Sequence, residues 1–218
     1  MRTAALSLTR RTITAALAAA ALAGGVPRRA AAQDVAAADL ATPVPLGDVV
    51  VGSETAPVTM IEYASMSCGH CAAFHETTFP VIKADYIDTG KVRFIFREFP
   101  LDIFAAAASM VARCASSGDA AKYHDAVKVL FSTQDQWVGQ QSAAQLRYIA
   151  GKVGLDETAF ETCIRSQDMV DALKAGLEHA SVKLKVDSTP TFFINGTRVK
   201  GAYPIEEFRR VIEANLKS

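Results

Sequence analysis

The sequence has no surplus of either charge and contains little tryptophan or cysteine. Its 218 residues include 23 Lys and Arg against 23 Asp and Glu, with one Trp and four Cys. Residues 1–32 hold five Arg and no acid, and without them 18 basic face 23 acidic side chains, a net charge of about −5. A mildly acidic protein gives no electrostatic reason to expect nucleic acid as its partner. Hydrophobic residues make up half of the sequence, which is enough to form a buried core.

Beyond residues 1–32 the sequence lacks any apolar run of the roughly 20 residues that a membrane-spanning helix needs. Residues 1–32 combine a basic start, a short Ala-rich stretch from Ile13 to Val26 and small residues before Gln33. This pattern predicts an export signal peptide and a periplasmic mature protein. Arg10 and Arg11 resemble a twin-arginine export signal. A retained N-terminal anchor is the alternative.

The first part of the mature chain is predicted to form a strand–helix–strand unit. Residues 33–56 lack periodicity and are interpreted as an N-terminal arm or linker. A buried strand over 58–64, a helix over 68–87 with Pro80 as a kink or break, and a strand over 92–96 make residues 57–100 the first half of an α/β domain.

The rest of the chain separates into a helical block and a second α/β half. Residues 101–186 show apolar spacings of three and four throughout, which predicts an all-helical insertion domain. Residues 187–218 return to strand spacing, with Asn195-Gly196 as a hairpin turn and a last helix from Pro204 to Leu216. The fold class is therefore α/β with an inserted all-helical domain.

A Cys-x-x-Cys motif, Cys68-Gly69-His70-Cys71, lies at the predicted junction between the first strand and its helix. Unpaired N–H groups and the dipole at a helix N-terminus stabilise a thiolate, which lowers the pKa of the first cysteine. A second thiol one turn later can resolve a mixed disulfide within the molecule. We therefore expect Cys68 to be the attacking sulfur, Cys71 the buried resolving sulfur, and His70 a group that stabilises the Cys68 thiolate.

An ordinary structural disulfide, or half of a zinc site, is the alternative use of this cysteine pair. A zinc site takes about four ligands, usually from two such pairs, and no second closely spaced pair exists. His75 lies one turn beyond Cys71, but a lone helical histidine is more often solvated. The sequence therefore predicts no metal and no dissociable cofactor.

The motif at Met66–Cys71, together with Ser188-Thr189-Pro190-Thr191 and the following Phe-Phe-Ile-Asn-Gly, resembles the DsbA family. The resemblance extends from about Pro57 to the end of the chain and includes the helical insertion. It implies a thioredoxin-like fold and an oxidoreductase that introduces disulfides into cysteine-containing substrate proteins. It also implies re-oxidation by a membrane partner of the DsbB type.

The resemblance also implies roles for further residues. Glu62 matches the position of a buried acid beneath the dithiol, although a strand glutamate facing water is the alternative. Pro190 matches a cis-proline beside the active-site disulfide, and the backbone of Thr189 would pair with an extended substrate peptide. Cys114 and Cys163 match a second, structural disulfide in the helical domain; two unpaired buried cysteines are the alternative.

The direction of the reaction has an alternative within the same scaffold. Gly-His between the cysteines, and Thr189 before the proline, are more similar to disulfide isomerases and reductases. Isomerases of this type carry a dimerising arm, and residues 33–56 are too short and irregular for one, so we expect a monomer. A chaperone or metal-binding module with incidental cysteines is the alternative from another class.

Four phenylalanines near the motif are interpreted either as a surface for unfolded substrates or as core residues: Phe74, Phe79, Phe99 and Phe104.

Overall fold

Five strands form one sheet in the computed structural model, which describes residues 35, 37–139 and 142–217. The strands are β1 (Val49–Val51), β2 (Val58–Ala64), β3 (Val92–Glu98), β4 (Thr191–Ile194) and β5 (Thr197–Lys200). Their order in the sheet is β1-β3-β2-β4-β5. The central pair β2 and β3 is parallel and the other pairs are antiparallel. The predicted fold class, α/β with an inserted set of helices, is confirmed.

The parallel central pair requires a long crossover, which the chain makes with the helix after β2. Helical backbone runs from 69 to 87 in four consecutive segments. Two are α-helical, α2 (Gly69–Ala73) and α3 (Phe79–Ile82), and two are π-helical, Phe74–Thr78 and Lys83–Ile87. Pro80 does not end the helical backbone, because it falls in the first turn of α3, where the winding changes from π to α.

In the described part of the chain six helices separate β3 from β4, five of them where the apolar spacings predict a helix, and α6 in addition. They are α4 (Ile103–Ser116), α5 (Ala120–Ser132), α6 (Gln134–Trp137), α7 (Ser142–Lys152), α8 (Glu157–Ile164) and α9 (Gln167–Val182). Asp102, Asp119 and Asp156 cap α4, α5 and α8, each through a carboxylate that accepts a backbone N–H of the first turn. No helix of the described ranges is both long and apolar enough to cross a membrane.

The described residues of the expected arm or linker, 35 and 37–56, contain regular secondary structure. They include a short helix, α1 (Ala37–Ala41), and β1, which pairs antiparallel with β3 at the edge of the sheet. Three residues are too few to show the period-two pattern of a strand, so its pairing was not visible in the sequence. The predicted signal peptide, residues 1–32, lies outside the described residues.

Alternate residues of β2 face two different layers of the protein. Met60, Glu62 and Ala64 point toward the face that packs against the crossover helix, the helical insertion and the final helix α10 (Ile205–Leu216). Ile61 and Tyr63 point to the opposite face, which is covered by the end of α9 and by α1. This alternation places the Glu62 carboxyl under the helix that begins at the dithiol.

Candidate functional site

The dithiol lies where the carboxyl end of β2 passes into α2. Cys68 is the N-cap residue of α2, and its Sγ accepts a hydrogen bond from the backbone N–H of Cys71 at 3.3 Å. Both thiols are free in this structure. Cys68 keeps 9% of its surface exposed, whereas Cys71 is completely buried. The two sulfurs therefore differ in access, and Cys68 is the one that a second molecule can reach.

The environment of Cys68 favours the thiolate. A hydrogen bond from the Cys71 thiol is the main cause that lowers the pKa of Cys68 from 9.0 to about 5. Partial burial opposes this shift, and the backbone N–H groups of Cys71 and His70 reinforce it. At neutral pH Cys68 is therefore a thiolate, which is both the nucleophilic form and a good leaving group.

The environment of Cys71 favours the thiol. Burial raises the pKa of Cys71 well above its ordinary value, and the neighbouring Cys68 and the negative charge of Glu62 raise it further. The reduced pair therefore holds one proton, on Cys71, across the neutral range. The two thiols of the reduced pair therefore differ in protonation as well as in access.

Glu62 has no solvent exposure and lies near enough to Cys71 for its charge to raise the pKa of that thiol. One of its carboxylate oxygens, Oε2, is 2.9 Å from Nε2 of His75, and the other, Oε1, has no hydrogen-bond partner. The alternative of a water-facing glutamate is therefore wrong. The expectation of a solvated His75 is also wrong, because its side chain is 6% exposed. His75 follows Cys71 by four residues, so the two side chains lie on the same inward face of the helix. This spacing was visible in the sequence.

Thr189 and Pro190 lie beside the dithiol from the other side. The peptide bond between them is cis. The carbonyl oxygen of Thr189 is 3.4 Å from the Sγ of Cys68, and β4 begins directly after Pro190. The structure therefore brings together four of the expected site residues, two from each half of the α/β domain: Cys68, Cys71, Thr189 and Pro190.

His70 and two unexpected residues complete the surroundings of the motif. The exposed imidazole of His70 has no hydrogen-bond partner within the described part of the chain. Gln134, from α6, donates its Nε2 to the carbonyl oxygens of Met66 at 2.7 Å and Cys68 at 3.1 Å. Asp102 accepts a hydrogen bond from the Ser67 hydroxyl at 2.6 Å. The helical insertion thus holds the active-site loop directly.

Apolar side chains are exposed next to this loop, and Phe104 is the one among them that was proposed from the sequence. Phe74 and Phe99 are buried core residues. The exposed apolar group lies in the segment 101–104, which runs from the bend after β3 into the first turn of α4, with Leu101 56%, Ile103 76% and Phe104 38% exposed. Asp102 of this segment is the residue that binds Ser67, so this apolar surface adjoins the loop that carries Cys68.

Cys114 and Cys163 lie far from the dithiol in sequence and form a disulfide between α4 and α8. They are 49 residues apart, and the bond packs with Met110 and Leu173 in a small apolar cluster. In the structure they are thus joined rather than left as two separate thiols. Among the described residues, no group of three or more His, Cys, Asp or Glu is placed to hold a metal ion.

Comparisons with known proteins agree with this architecture. A thioredoxin family model matches residues 46–214. The solved structure of α-DsbA1 from Wolbachia pipientis is 34% identical and superimposes with a TM-score of 0.76, covering 82% of this chain and 95% of that one. Oxidised BdbD from Bacillus subtilis has the same fold, at 24% identity and a TM-score of 0.69 over 78% of this chain and 94% of that one.

A curated relative from Rickettsia typhi, named as a candidate protein-disulfide oxidoreductase, is 30% identical over 171 residues, or 78% of this chain. The match spans only 62% of the length of that relative. The family model and the Wolbachia structure each cover more than three quarters of this chain, and the residues that the family model matches include the dithiol, the cis-proline and the inserted helices. The chain therefore belongs to the DsbA family of thioredoxin-fold proteins.

Proposed function

We propose that the protein is an exported thiol–disulfide oxidoreductase that introduces disulfides into cysteine-containing proteins by exchange at Cys68 and Cys71. The observation that carries the proposal is the opposite protonation of the two sulfurs. The pKa of Cys68 is lowered to about 5 by the hydrogen bond from Cys71, and the pKa of Cys71 is raised by burial. Such a difference between the pKa values of two paired cysteines is typical of a catalytic site and is not required in a structural disulfide or in core cysteines.

The reaction proceeds by two successive exchanges. A substrate thiolate attacks Cys68 in the Cys68–Cys71 disulfide, the bond between the two enzyme sulfurs breaks, and Cys71 leaves and takes up a proton. A second substrate thiolate then attacks the substrate sulfur of the mixed disulfide and releases Cys68 as a thiolate. The substrate loses two electrons and the enzyme pair gains them.

The surrounding residues have supporting roles in this proposal. Glu62 exchanges the proton of Cys71, since a buried carboxylate beside a thiol is a suitable acid and base. The backbone of Thr189, before the cis-Pro190, pairs with an extended segment of the substrate. His70 adds positive charge near the Cys68 thiolate when it is protonated. Cys114 and Cys163 form a structural disulfide that takes no part in the exchange.

Oxidation is the favoured direction because the reduced state is the stabilised one. Every interaction that lowers the pKa of Cys68 stabilises the reduced pair relative to the disulfide, and so makes the disulfide a stronger oxidant. An isomerase or reductase on the same scaffold is the alternative, and it is favoured by the Gly-His dipeptide between the cysteines.

The proposal extends to partners and location. The exposed apolar surface at Leu101, Ile103 and Phe104 suits the apolar segments of an unfolded polypeptide. A membrane protein of the DsbB type would re-oxidise the pair. The predicted export signal, by the twin-arginine route, would deliver a monomer to the periplasm, where disulfides persist.

The test is equilibration of the mature protein in graded glutathione buffers, followed by alkylation and mass measurement. We expect Cys68 and Cys71 to remain reduced while glutathione is substantially oxidised. A pair that oxidises in strongly reducing buffer would instead assign the protein to the reductases or isomerases. Cys68→Ser is the control, and it should abolish exchange; a full activity of this variant in refolding a reduced substrate would contradict any oxidoreductase role.

A further inference from the structure

The proton of Cys71 has no direct route to solvent. Cys71 and Glu62 are both fully buried. The β3 and β4 residues paired with Glu62 are Phe96 and Phe192, which belong to the same apolar cluster on this face of the sheet. The carboxylate is therefore flanked by an aromatic residue on each neighbouring strand.

His75 is the one hydrogen-bond partner that the described part of the chain gives the Glu62 carboxylate. The two groups are 2.9 Å apart, from Nε2 to Oε2. The imidazole stacks on Phe131 with ring centroids 4.6 Å apart and an interplanar angle of 23°, which fixes its plane. Its side chain retains 6% exposure, whereas that of Glu62 has none. Of this pair, only His75 therefore retains any exposure to solvent.

We propose that His75 is a positioning and proton-relay residue, which acts through Glu62 to connect the Cys71 sulfur with solvent. This inference rests on the proposed thiol–disulfide exchange. When Cys71 leaves the disulfide as a thiolate, Glu62 supplies its proton and His75 replaces that proton from water. When Cys71 attacks a mixed disulfide at Cys68, Glu62 accepts the thiol proton and His75 passes it out.

The other charged and titratable groups around this relay do not offer a second route. The Cys68 thiolate adjoins Cys71 but is the reacting sulfur itself. On α5, burial, the charge of His75 and that of Lys83 lower the pKa of His124 to about 4, so its ring is neutral at pH 7. The Nε2 of His124 is buried without a partner, and Lys83, on the crossover helix, pairs with Asp88 at the surface.

Re-oxidation by glutathione disulfide proceeds in two steps, and a proton relay at His75 should affect only the second of them. A merely structural role of His75 would affect both steps. Attack of Cys68 on glutathione disulfide uses a preformed thiolate and needs no proton from Cys71. Closure of the mixed disulfide by Cys71 requires that proton to leave. Rapid mixing, acid quenching and mass measurement follow the mixed disulfide at Cys68 over a range of pH, and its accumulation reports the second step.

His75→Gln is the informative variant, because its amide can still donate to Glu62 but cannot carry a proton at neutral pH. We expect the first step to stay within about twofold and closure to slow by about 100-fold, the lower end of the range for general acid–base catalysis. Added imidazole should restore part of the closure rate. His179→Gln, whose imidazole contacts Asp39 at a different site, is the matched control and should behave as wild type.

Glu62→Gln and the double variant provide a second measurement in case His75→Gln folds poorly. If the two residues act as one relay, Glu62→Gln slows closure and adding His75→Gln slows it no further. Closure at the wild-type rate in folded His75→Gln, or equal slowing of both steps, would overturn the relay. A wild-type protein in which glutathione disulfide neither forms a mixed disulfide at Cys68 nor oxidises the Cys68–Cys71 pair would overturn the proposed function as well.

Discussion

The two cysteines of the motif differ in how many protons they hold, and this difference has a measurable consequence. The pKa of Cys68 is lowered to about 5 by the Cys71 thiol, while burial keeps the pKa of Cys71 far above neutral. From about pH 5 to about pH 9 the reduced pair therefore carries a single proton. Reduction of the disulfide then consumes two electrons and one proton, instead of the two protons of an ordinary dithiol.

The equilibrium with glutathione should therefore depend on pH. Each oxidation of two glutathione thiols by the enzyme disulfide releases one proton, since the pKa of an ordinary thiol is about 8.5. The equilibrium constant should rise about tenfold for each unit from about pH 6 to about pH 8, which makes the protein more oxidising. The direction of this pH dependence follows from the lowered pKa of Cys68. The thiolate stabilises the reduced protein fully at pH values above the ordinary thiol pKa, and this stabilisation is lost as the pH falls toward 5.

Glutathione titrations at several pH values, with the thiolate absorbance of the reduced protein as an independent monitor, would check this. The thiolate transition should be absent from Cys68→Ser. An equilibrium constant that does not change with pH would mean that Cys68 is protonated across the neutral range, contrary to its surroundings in the structure.

At the scale of elements, a buried carboxylate joins the sheet to the helical insertion. Glu98, the last residue of β3, is 4% exposed. Its carboxylate accepts two hydrogen bonds from Arg113 of α4, at 2.5 and 2.8 Å. It also accepts one at 2.6 Å from the hydroxyl of Tyr123 on α5. Two helices are thus tied to the end of the strand that also leads into the apolar segment beside the dithiol.

Tyr123→Phe should destabilise the protein without changing its exchange chemistry. The substitution removes a hydrogen bond to a buried charged group while keeping the ring, which costs about 1.5–3 kcal/mol of unfolding free energy. Tyr148→Phe is the matched control: its side chain is 58% exposed, so the effect should be within about 0.5 kcal/mol. Urea unfolding measures both, and equal stability of the two variants would contradict the role assigned to this hydroxyl.

Over the whole molecule, the fold was predictable where the pattern is local. The strand at 58–64, the helix from 68 to 87 and the Asn195-Gly196 hairpin follow from residue spacing and turn chemistry, and the structure places all three as expected. The edge strand β1 was missed because three residues carry no period and it is defined only by pairing with β3, more than 40 residues away.

In the candidate site, too, the features encoded by nearby residues could be predicted, and the contacts between distant residues could not. The dithiol could be identified from its motif and its position at a helix start, both of which are local. The Gln134 contact with Met66 and Cys68 joins residues more than 60 positions apart, and nothing in the sequence around Gln134 indicates it. His75 was visible as a helical neighbour of Cys71, but its burial depends on the aromatic rings of other elements, such as Phe131.

The disulfide between Cys114 and Cys163 acts at this largest scale, because it closes a loop of 49 residues across the helical insertion. Restricting the unfolded chain in this way stabilises a protein by about 4 kcal/mol in the chain-entropy model. The double variant Cys114→Ala/Cys163→Ala should therefore lose about that much unfolding free energy in urea, while its equilibrium constant with glutathione stays within about twofold of wild type. Alanine variants are preferable to a reductant, which would also reduce Cys68 and Cys71. A tenfold change in that equilibrium constant would instead make the second disulfide part of the redox machinery, and a loss below about 1 kcal/mol would mean that the unfolded insertion is already compact without it.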